Sequence, residues 1–259
     1  MSKIGFIGAG AMGAPMIGHL LDAGHEVAVH VRRREAASAL IARGARYAAS
    51  PAEAASGAEF VCTNVTNTAD VEAVLFGERG AAAATAVGSV VIDFSTISAV
   101  ATREFARRLA QRGVDMLDCP VSGGAVGAQQ ASLSIIVGGE AAVLERARPL
   151  LEKLGRTITH VGGHGAGQVV KACNQIVQVV NIEGIAEATL FASANGVDPA
   201  RMLPALQAGM AGSRMLDLMG PKMVARDFAA GIEARLHQKD FGLVVQMTQA
   251  LGLSLPAAA

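Results

Sequence analysis

Residues 1–162 predict an α/β, doubly wound domain on a parallel sheet, and residues 163–259 an all-helical domain. Three observations carry that division. Short apolar runs such as Lys3–Ile7, Phe60–Thr63 and Val90–Asp93 alternate with helical patterns, the signature of a parallel sheet with crossover helices. A glycine-spaced turn, Gly8-Ala9-Gly10-Ala11-Met12-Gly13, joins the first run to the first helical pattern. Beyond Gly165 no run reads as a strand.

The bulk properties fit two buried domains and narrow the partners. At about 100–200 residues per domain, 259 residues suit two. Hydrophobic residues make up 51% and charged ones 17%, so the chain can bury large cores. Its 22 basic residues balance 22 acidic ones, leaving no net field to attract nucleic acid or an anionic membrane. Without 18 consecutive apolar residues, no membrane span is expected. Cys62, Cys119 and Cys173 lie far apart without a C-x-x-C pair, which predicts no metal site, no disulfide and a reducing, cytoplasmic setting. All three read as small core residues. The basic-then-apolar start resembles a signal peptide, but its glycines have a better use.

That use is a dinucleotide. Between a strand and a helix reaching about Ala23, Gly8 permits the tight turn, Gly10 lets a pyrophosphate approach the backbone, and Gly13 lets helix and strand pack. Ala11 and Met12 fall in the same turn, where the helix dipole favours an anion. The motif defines a Rossmann-type nucleotide-binding domain. The second strand, Glu26–Val31, then ends in Arg32-Arg33-Arg34 where an NAD site usually carries an acid for the ribose 2′-hydroxyl. Arg32 and Arg33 suit a 2′-phosphate, which guanidinium groups bind bidentately. NADP(H) is therefore expected over NAD(H), although a solvated basic turn has the same composition.

Ligands of such sheets lie beyond the carboxyl ends of the strands. Asn64 and Val65 follow the strand at Phe60–Thr63, Ser95 and Thr96 follow Val90–Asp93, and Ser122 follows Val114–Leu117. Ser122-Gly123-Gly124 offers a hydroxyl and unobstructed backbone N–H groups, either a carboxylate cradle or a plain connecting loop. Ala99–Gln111 and Ala141–Lys153 read as crossover helices, and Leu133–Val137 and Thr157–Val161 as further strands.

The helical half opens with a segment from about Gln168 to Ala194, closed by Asn195-Gly196 and restarted by Asp198-Pro199. Val170, Cys173, Val177 and Val180 surround its one lysine, Lys171, in a pattern that reads as a helix buried on nearly every side. Such a lysine either snorkels or pairs, or it serves as a proton donor whose pKa burial lowers. Asn174 shares its face three residues on. A later helix opens at His237-Gln238-Lys239-Asp240, with Leu243, Val244 and Met247 as core.

GFIGAGAMGAPM near the start, DFST at 93–96, DCPVSGG at 118–124, GAGQVVKACNQ at 165–175 and KDF at 239–241 together resemble the β-hydroxyacid dehydrogenase family, in family order over nearly the whole chain. The resemblance implies Lys171 as catalytic acid/base, Ser122, Gly123 and Gly124 holding a substrate carboxylate, and Asn174 orienting the substrate hydroxyl or carboxylate. It implies Thr96 touching substrate or the nicotinamide ribose, and Lys239 and Asp240 closing the pocket, the lysine toward cofactor and the aspartate toward substrate. Asn174-Gln175, AGMAGSRMLD at 208–217 and ARLHQKD at 234–240 are similar to the branch that reduces tartronate semialdehyde to D-glycerate. Methylmalonate semialdehyde, succinic semialdehyde and glyoxylate are the alternative substrates, and a non-catalytic NADP-binding module the alternative class. The family implies a homodimer or homotetramer. Two departures stand out: Ile232 where relatives often place an aromatic, and an end at Ala259 where relatives continue, so the helical domain is expected to be short.

Overall fold

The computed structural model describes residues 1–229 and 234–258; Ile232, expected beside the substrate, lies outside them. In chain order the first elements are β1 (Lys3–Ile7), α1 (Gly13–Asp22), β2 (Glu26–His30), α2 (Ser38–Ala42), β3 (Arg46–Tyr47), α3 (Pro51–Ala55), β4 (Phe60–Thr63), α4 (Thr68–Phe76), β5 (Val90–Asp93) and α5 (Ala99–Ala110). Then come β6 (Asp115–Asp118), β7 (Val121–Ser122), α6 (Gly124–Gln129), β8 (Leu133–Gly138), α7 (Ala141–Leu151), β9 (Gly155–Gly162) and α8 (Ala166–Ala194). The last helices are α9 (Pro199–Ala208), α10 (Arg214–Val224) and α11 (Ala234–Ala250).

These residues form two compact units, Met1–Lys171 and Ala172–Ala259. The division falls inside α8, past the boundary expected at 162/163.

In the first unit β3-β2-β1-β4-β5-β6 are parallel neighbours, the doubly wound order, and β8 continues the sheet antiparallel to β6 through Asp118 and Gly138. Successive strand residues serve opposite faces. Ile4, Phe6, Cys62, Val90, Ile92 and Leu117 belong to one apolar cluster, while Ile7, Val61, Val91 and Met116 belong to another. Each fully buried side chain of this size contributes about 1.5–3 kcal/mol. β4 and β5 are buried along their whole length, which is why they read as continuous apolar runs rather than alternating ones.

The second unit has a smaller core, in which Ile185, Leu203 and Leu216 pack with methionines from α9 and α10. Gly196 takes a positive φ after α8, and the Asp198 carboxylate accepts from the Ala200 N–H to cap α9, with Pro199 at its first position. Ser213 caps α10 by accepting from Leu216 N–H.

The expectation that α8 is buried on nearly every side is wrong. Lys171 is only 7% exposed and Ala172 is buried, but Val177 is 60% exposed, and Leu190 and Phe191 are 72% and 71% exposed. Cys173 is likewise exposed, unlike the buried Cys62 and Cys119. An apolar sequence run cannot distinguish burial inside the subunit from an apolar face left open. By length and a mean hydropathy of 1.2 over its most apolar window, α8 is long and apolar enough to cross a membrane, although polar residues interrupt its apolar run. Its Gln168, Asn174 and Gln175 side chains nevertheless hydrogen-bond within the protein.

Candidate active site

The glycine turn after β1 has the shape a pyrophosphate needs. A Cβ on Gly8, which sits at φ 99°, would strike the Asn64 carbonyl, and one on Gly13 would strike the Gly8 carbonyl. At Gly10, by contrast, a Cβ would meet nothing within 4 Å. The backbone is packed on both sides of an open position. No side chain caps α1, so its first N–H groups are free of side-chain acceptors from the protein itself. This arrangement fits a dinucleotide phosphate.

Neighbouring strand ends extend the same edge. The Val65 N–H donates to Ser95 Oγ at 3.0 Å, linking the loops after β4 and β5. At the end of β2, Arg32 and Arg33 are exposed, while the Arg34 guanidinium lies 5.0 Å from the centre of the Tyr47 ring. All three arginines are therefore presented to solvent, and the third also rests on an aromatic.

Ser122 closes β7, opposite Ser134 of β8. Gly123 and Gly124 both take positive φ, 129° and 61°, which side-chain-bearing residues rarely adopt. The two successive N–H groups thus lead into α6 with no side chain over them. His19 of α1 bonds to the Ala128 and Gln129 carbonyls at 3.0 and 3.1 Å, tying the nucleotide helix to α6.

The helix start that precedes Lys171 is held by Asp118 and Gln168. Asp118, at the end of β6, accepts from the Gly165 N–H at 2.8 Å and from the Gln168 N–H at 3.0 Å, so its carboxylate sits on the N-terminus of α8. Burial raises its pKa, while the two backbone donors and nearby His164 oppose the shift. Gln168 in turn donates to the Ser95 carbonyl at 2.8 Å and accepts from Ile97 N–H at 3.1 Å. One turn before Lys171, α8 is therefore fixed to the ends of both β5 and β6. The pairing spans 47 to 73 residues of sequence, and only the fold exposes it.

In the second unit Asn174 Nδ2 donates to Gln175 Oε1 at 3.0 Å, and Gln175 Nε2 donates to Asp240 Oδ2 at 2.7 Å. Lys239 Nζ lies 2.9 Å from Asp240 Oδ1. Asn174, Asp240 and Lys239, expected at the site, are thus brought together, and Gln175 joins them. No group of three or more His, Cys, Asp or Glu side chains among the described residues could hold a metal ion.

A nucleotide edge with an open glycine, followed by a helix that carries a buried lysine, defines a nicotinamide-dependent oxidoreductase. Residues 3–162 match the NAD-binding domain of 6-phosphogluconate dehydrogenase, and residues 165–259 match the NAD-binding domain of NADP-dependent 3-hydroxyisobutyrate dehydrogenase. Among curated relatives, the chain is 45% identical over 258 residues to the 2-hydroxy-3-oxopropionate reductase of Escherichia coli strain K12, covering 99% of this chain and 88% of that protein. It is 39% identical over 266 residues to the 3-hydroxyisobutyrate dehydrogenase of Pseudomonas aeruginosa, covering 100% of this chain and 89% of that protein. A solved 3-hydroxyisobutyrate dehydrogenase from Mycobacterium tuberculosis with L-serine superposes with a TM-score of 0.93 at 34% identity, covering 100% of this chain and 90% of that one. The chain belongs to the β-hydroxyacid dehydrogenase family, and it is an oxidoreductase.

Proposed function

We propose that this enzyme reduces tartronate semialdehyde to D-glycerate with NADPH, and that Lys171 is its proton donor. The observation that carries the reading is the burial of Lys171 one turn after a helix start fixed by Asp118 and Gln168. A cation held that rigidly suits proton transfer to an oxygen whose charge appears only during reaction.

When bound, the reduced nicotinamide supplies a hydride to the aldehyde carbon. Gly8, Gly10, Ala11, Met12 and Gly13 would hold its pyrophosphate, Arg32 and Arg33 a 2′-phosphate, and Asn64, Val65 and Thr96 the remainder. Ser122, Gly123 and Gly124 cradle the substrate carboxylate, which fixes the aldehyde for attack. As the carbonyl oxygen gains charge, the Lys171 ammonium gives it a proton and becomes the neutral amine. Asn174, three residues along the same helix, completes the substrate contacts. Arg32 and Arg33, at the end of β2 where an NAD site usually carries an acid, support NADP(H) over NAD(H). The exposed Leu190 and Phe191 support a homodimer or homotetramer, and the free thiols support a cytoplasmic enzyme.

The test is steady-state oxidation of NADPH by tartronate semialdehyde in the parent and in Lys171→Ala. The variant is expected to lose at least about 100-fold in kcat, the usual scale for removing a general acid, and NADH is expected to serve the parent less well than NADPH. Turnover of Lys171→Ala within a few-fold of the parent sinks the lysine assignment, and a parent preference for NADH sinks the cofactor assignment.

A further inference from the structure

The contacts of Asn174 settle which way its amide must face. Asp240 is the fixed point: Lys239 Nζ lies at one of its oxygens, 2.9 Å away, and the Gln175 amide at the other, 2.7 Å away. An ionised carboxylate can only accept. Gln175 therefore has to present Nε2 to Asp240, and its Oε1 is turned toward Asn174. That oxygen also can only accept, so Asn174 has to offer Nδ2, as the 3.0 Å contact requires. Asn174 Oδ1 accepts no hydrogen bond from the described residues. The orientation of two amides, ordinarily a matter of choice between nearly identical atoms, is here dictated by one carboxylate. Gln175 is only 4% exposed, so water competes little for the relay.

The chemical consequence is selective. Beyond its bond to Gln175, the Asn174 amide keeps one acceptor, Oδ1, and one further N–H. A hydroxyl, which both donates and accepts, matches that pair. A carboxylate offers nothing to Oδ1, and a methyl group leaves both amide atoms unmatched. Resting on the substrate-side role proposed above for Asn174, we infer that the Asp240–Gln175–Asn174 relay reads the hydroxyl at C2 of a 3-oxo acid and discriminates against the C2-methyl analogue. Asp240 and Gln175 are then positioning residues that act through Asn174. A site that meets a hydroxyl with oriented polar atoms rejects a methyl more strongly than a hydrophobic pocket rejects a hydroxyl.

The experiment measures kcat/KM for tartronate semialdehyde and methylmalonate semialdehyde in the parent, Asp240→Asn, Asp240→Glu and Gln175→Met. An asparagine at 240 can donate as well as accept, so it releases Gln175 to turn over. Methionine at 175 removes the relay yet leaves the contact between Lys239 and Asp240 in place. Glutamate at 240 keeps an acceptor-only group and serves as the rescue.

The expected result is a parent preference for the hydroxylated substrate of about 100-fold or more, falling by about 10-fold or more in Asp240→Asn and Gln175→Met. That fall comes from the hydroxylated substrate, with turnover of the methylated one kept within a few-fold, and Asp240→Glu recovers most of the preference. Equal losses on both substrates would mark a merely structural role and overturn the inference. A parent that turns over both semialdehydes equally well overturns it too, while leaving the reductase reading intact. A parent inert toward both overturns the two readings together. Thermal melting of each variant separates lost folding from lost selectivity: a variant that melts like the parent and keeps its preference also overturns the relay.

Discussion

Two helices of this enzyme begin at glycine-rich turns, and they treat their N-termini in opposite ways. At α1 the turn from Gly8 to Gly13 leaves Gly10 facing open space and no side chain caps the helix. At α8 the turn around Gly165 and Gly167 is closed by the protein's own carboxylate, Asp118, which takes the N–H groups of Gly165 and Gln168. Each helix start carries the same partial positive charge. One is left for a diffusible anion and the other is neutralised internally. The difference teaches how to tell a binding glycine turn from a scaffolding one: the test is what occupies the space a Cβ would fill, not the number of glycines. On the function proposed above, the open end serves cofactor capture and the closed end holds the start of the helix that carries Lys171.

The sharpest way to break the comparison is to add one methyl at the closed end. A Cβ on Gly167 would lie 2.7 Å from Asp118 Oδ2, 2.8 Å from Asp118 O and 2.9 Å from Ile136 O. Two of those atoms are backbone and cannot step aside. Gly167→Ala is therefore expected to destabilise the first unit by about 3 kcal/mol, near the upper end for overpacking. Urea denaturation measures it, and a loss below about 0.5 kcal/mol would show that the closed end is looser than described.

The row of strand ends that closes α8 also sharpens the contrast. Asp93 is the register partner of Asp118 across β5 and β6. Its Oδ1 accepts from Thr63 Oγ1 at 2.8 Å and from Ser95 N–H at 3.0 Å, whereas its Oδ2 is buried without a partner. Burial pushes its carboxyl up to about 6, against the lowering effect of the Ser95 and Thr63 hydrogen bonds. Because the folded state favours the neutral acid, the stabilising contribution is complete below the ordinary carboxyl range and is lost as pH rises through about 6. The shift corresponds to about 3 kcal/mol. Asp93→Asn keeps an acceptor for Thr63 and Ser95 while carrying no charge. It is expected to gain stability relative to the parent between pH 4.5 and pH 8, by about 2 kcal/mol because part of the shift is already expressed at pH 4.5, in chemical denaturation at the two pH values. A difference independent of pH would remove Asp93 as its source.

The glycine turn is more legible in the sequence than the anchoring of the helix that carries Lys171, for a physical reason. Gly8, Gly10 and Gly13 act within one turn, so their spacing alone states the geometry. The doubly wound class was legible because β4 and β5 are buried along their length and leave continuous apolar runs. Asp118 and Gln168 meet only after the strands between them are assembled, and no local spacing announces that meeting. The two-residue strands β3 and β7 escaped notice because two residues hold no period to detect. Cys173 and the rest of the exposed face of α8 were misread since apolar composition says that a side chain avoids water, not which surface covers it. Gln175 was visible as a neighbour of Asn174, yet its role depends on Asp240, which lies 65 residues further along the chain.

At the open end the same operation should leave the fold alone. Nothing lies within 4 Å of where a Gly10 Cβ would sit, and its φ is outside the positive range that side chains avoid. Gly10→Val is thus expected to melt within about 1–2 °C of the parent, the scale of a neutral surface change in a chain of this size. Its branched side chain would instead stand where the pyrophosphate approaches the backbone, so the KM for NADPH is expected to rise by about 100-fold, or about 2.7 kcal/mol of binding. Isothermal titration with NADPH measures the binding loss directly, free of any change in turnover. Unchanged affinity would mean that Gly10 is open merely to solvent, and the contrast between the two helix starts would then rest on the closed end alone.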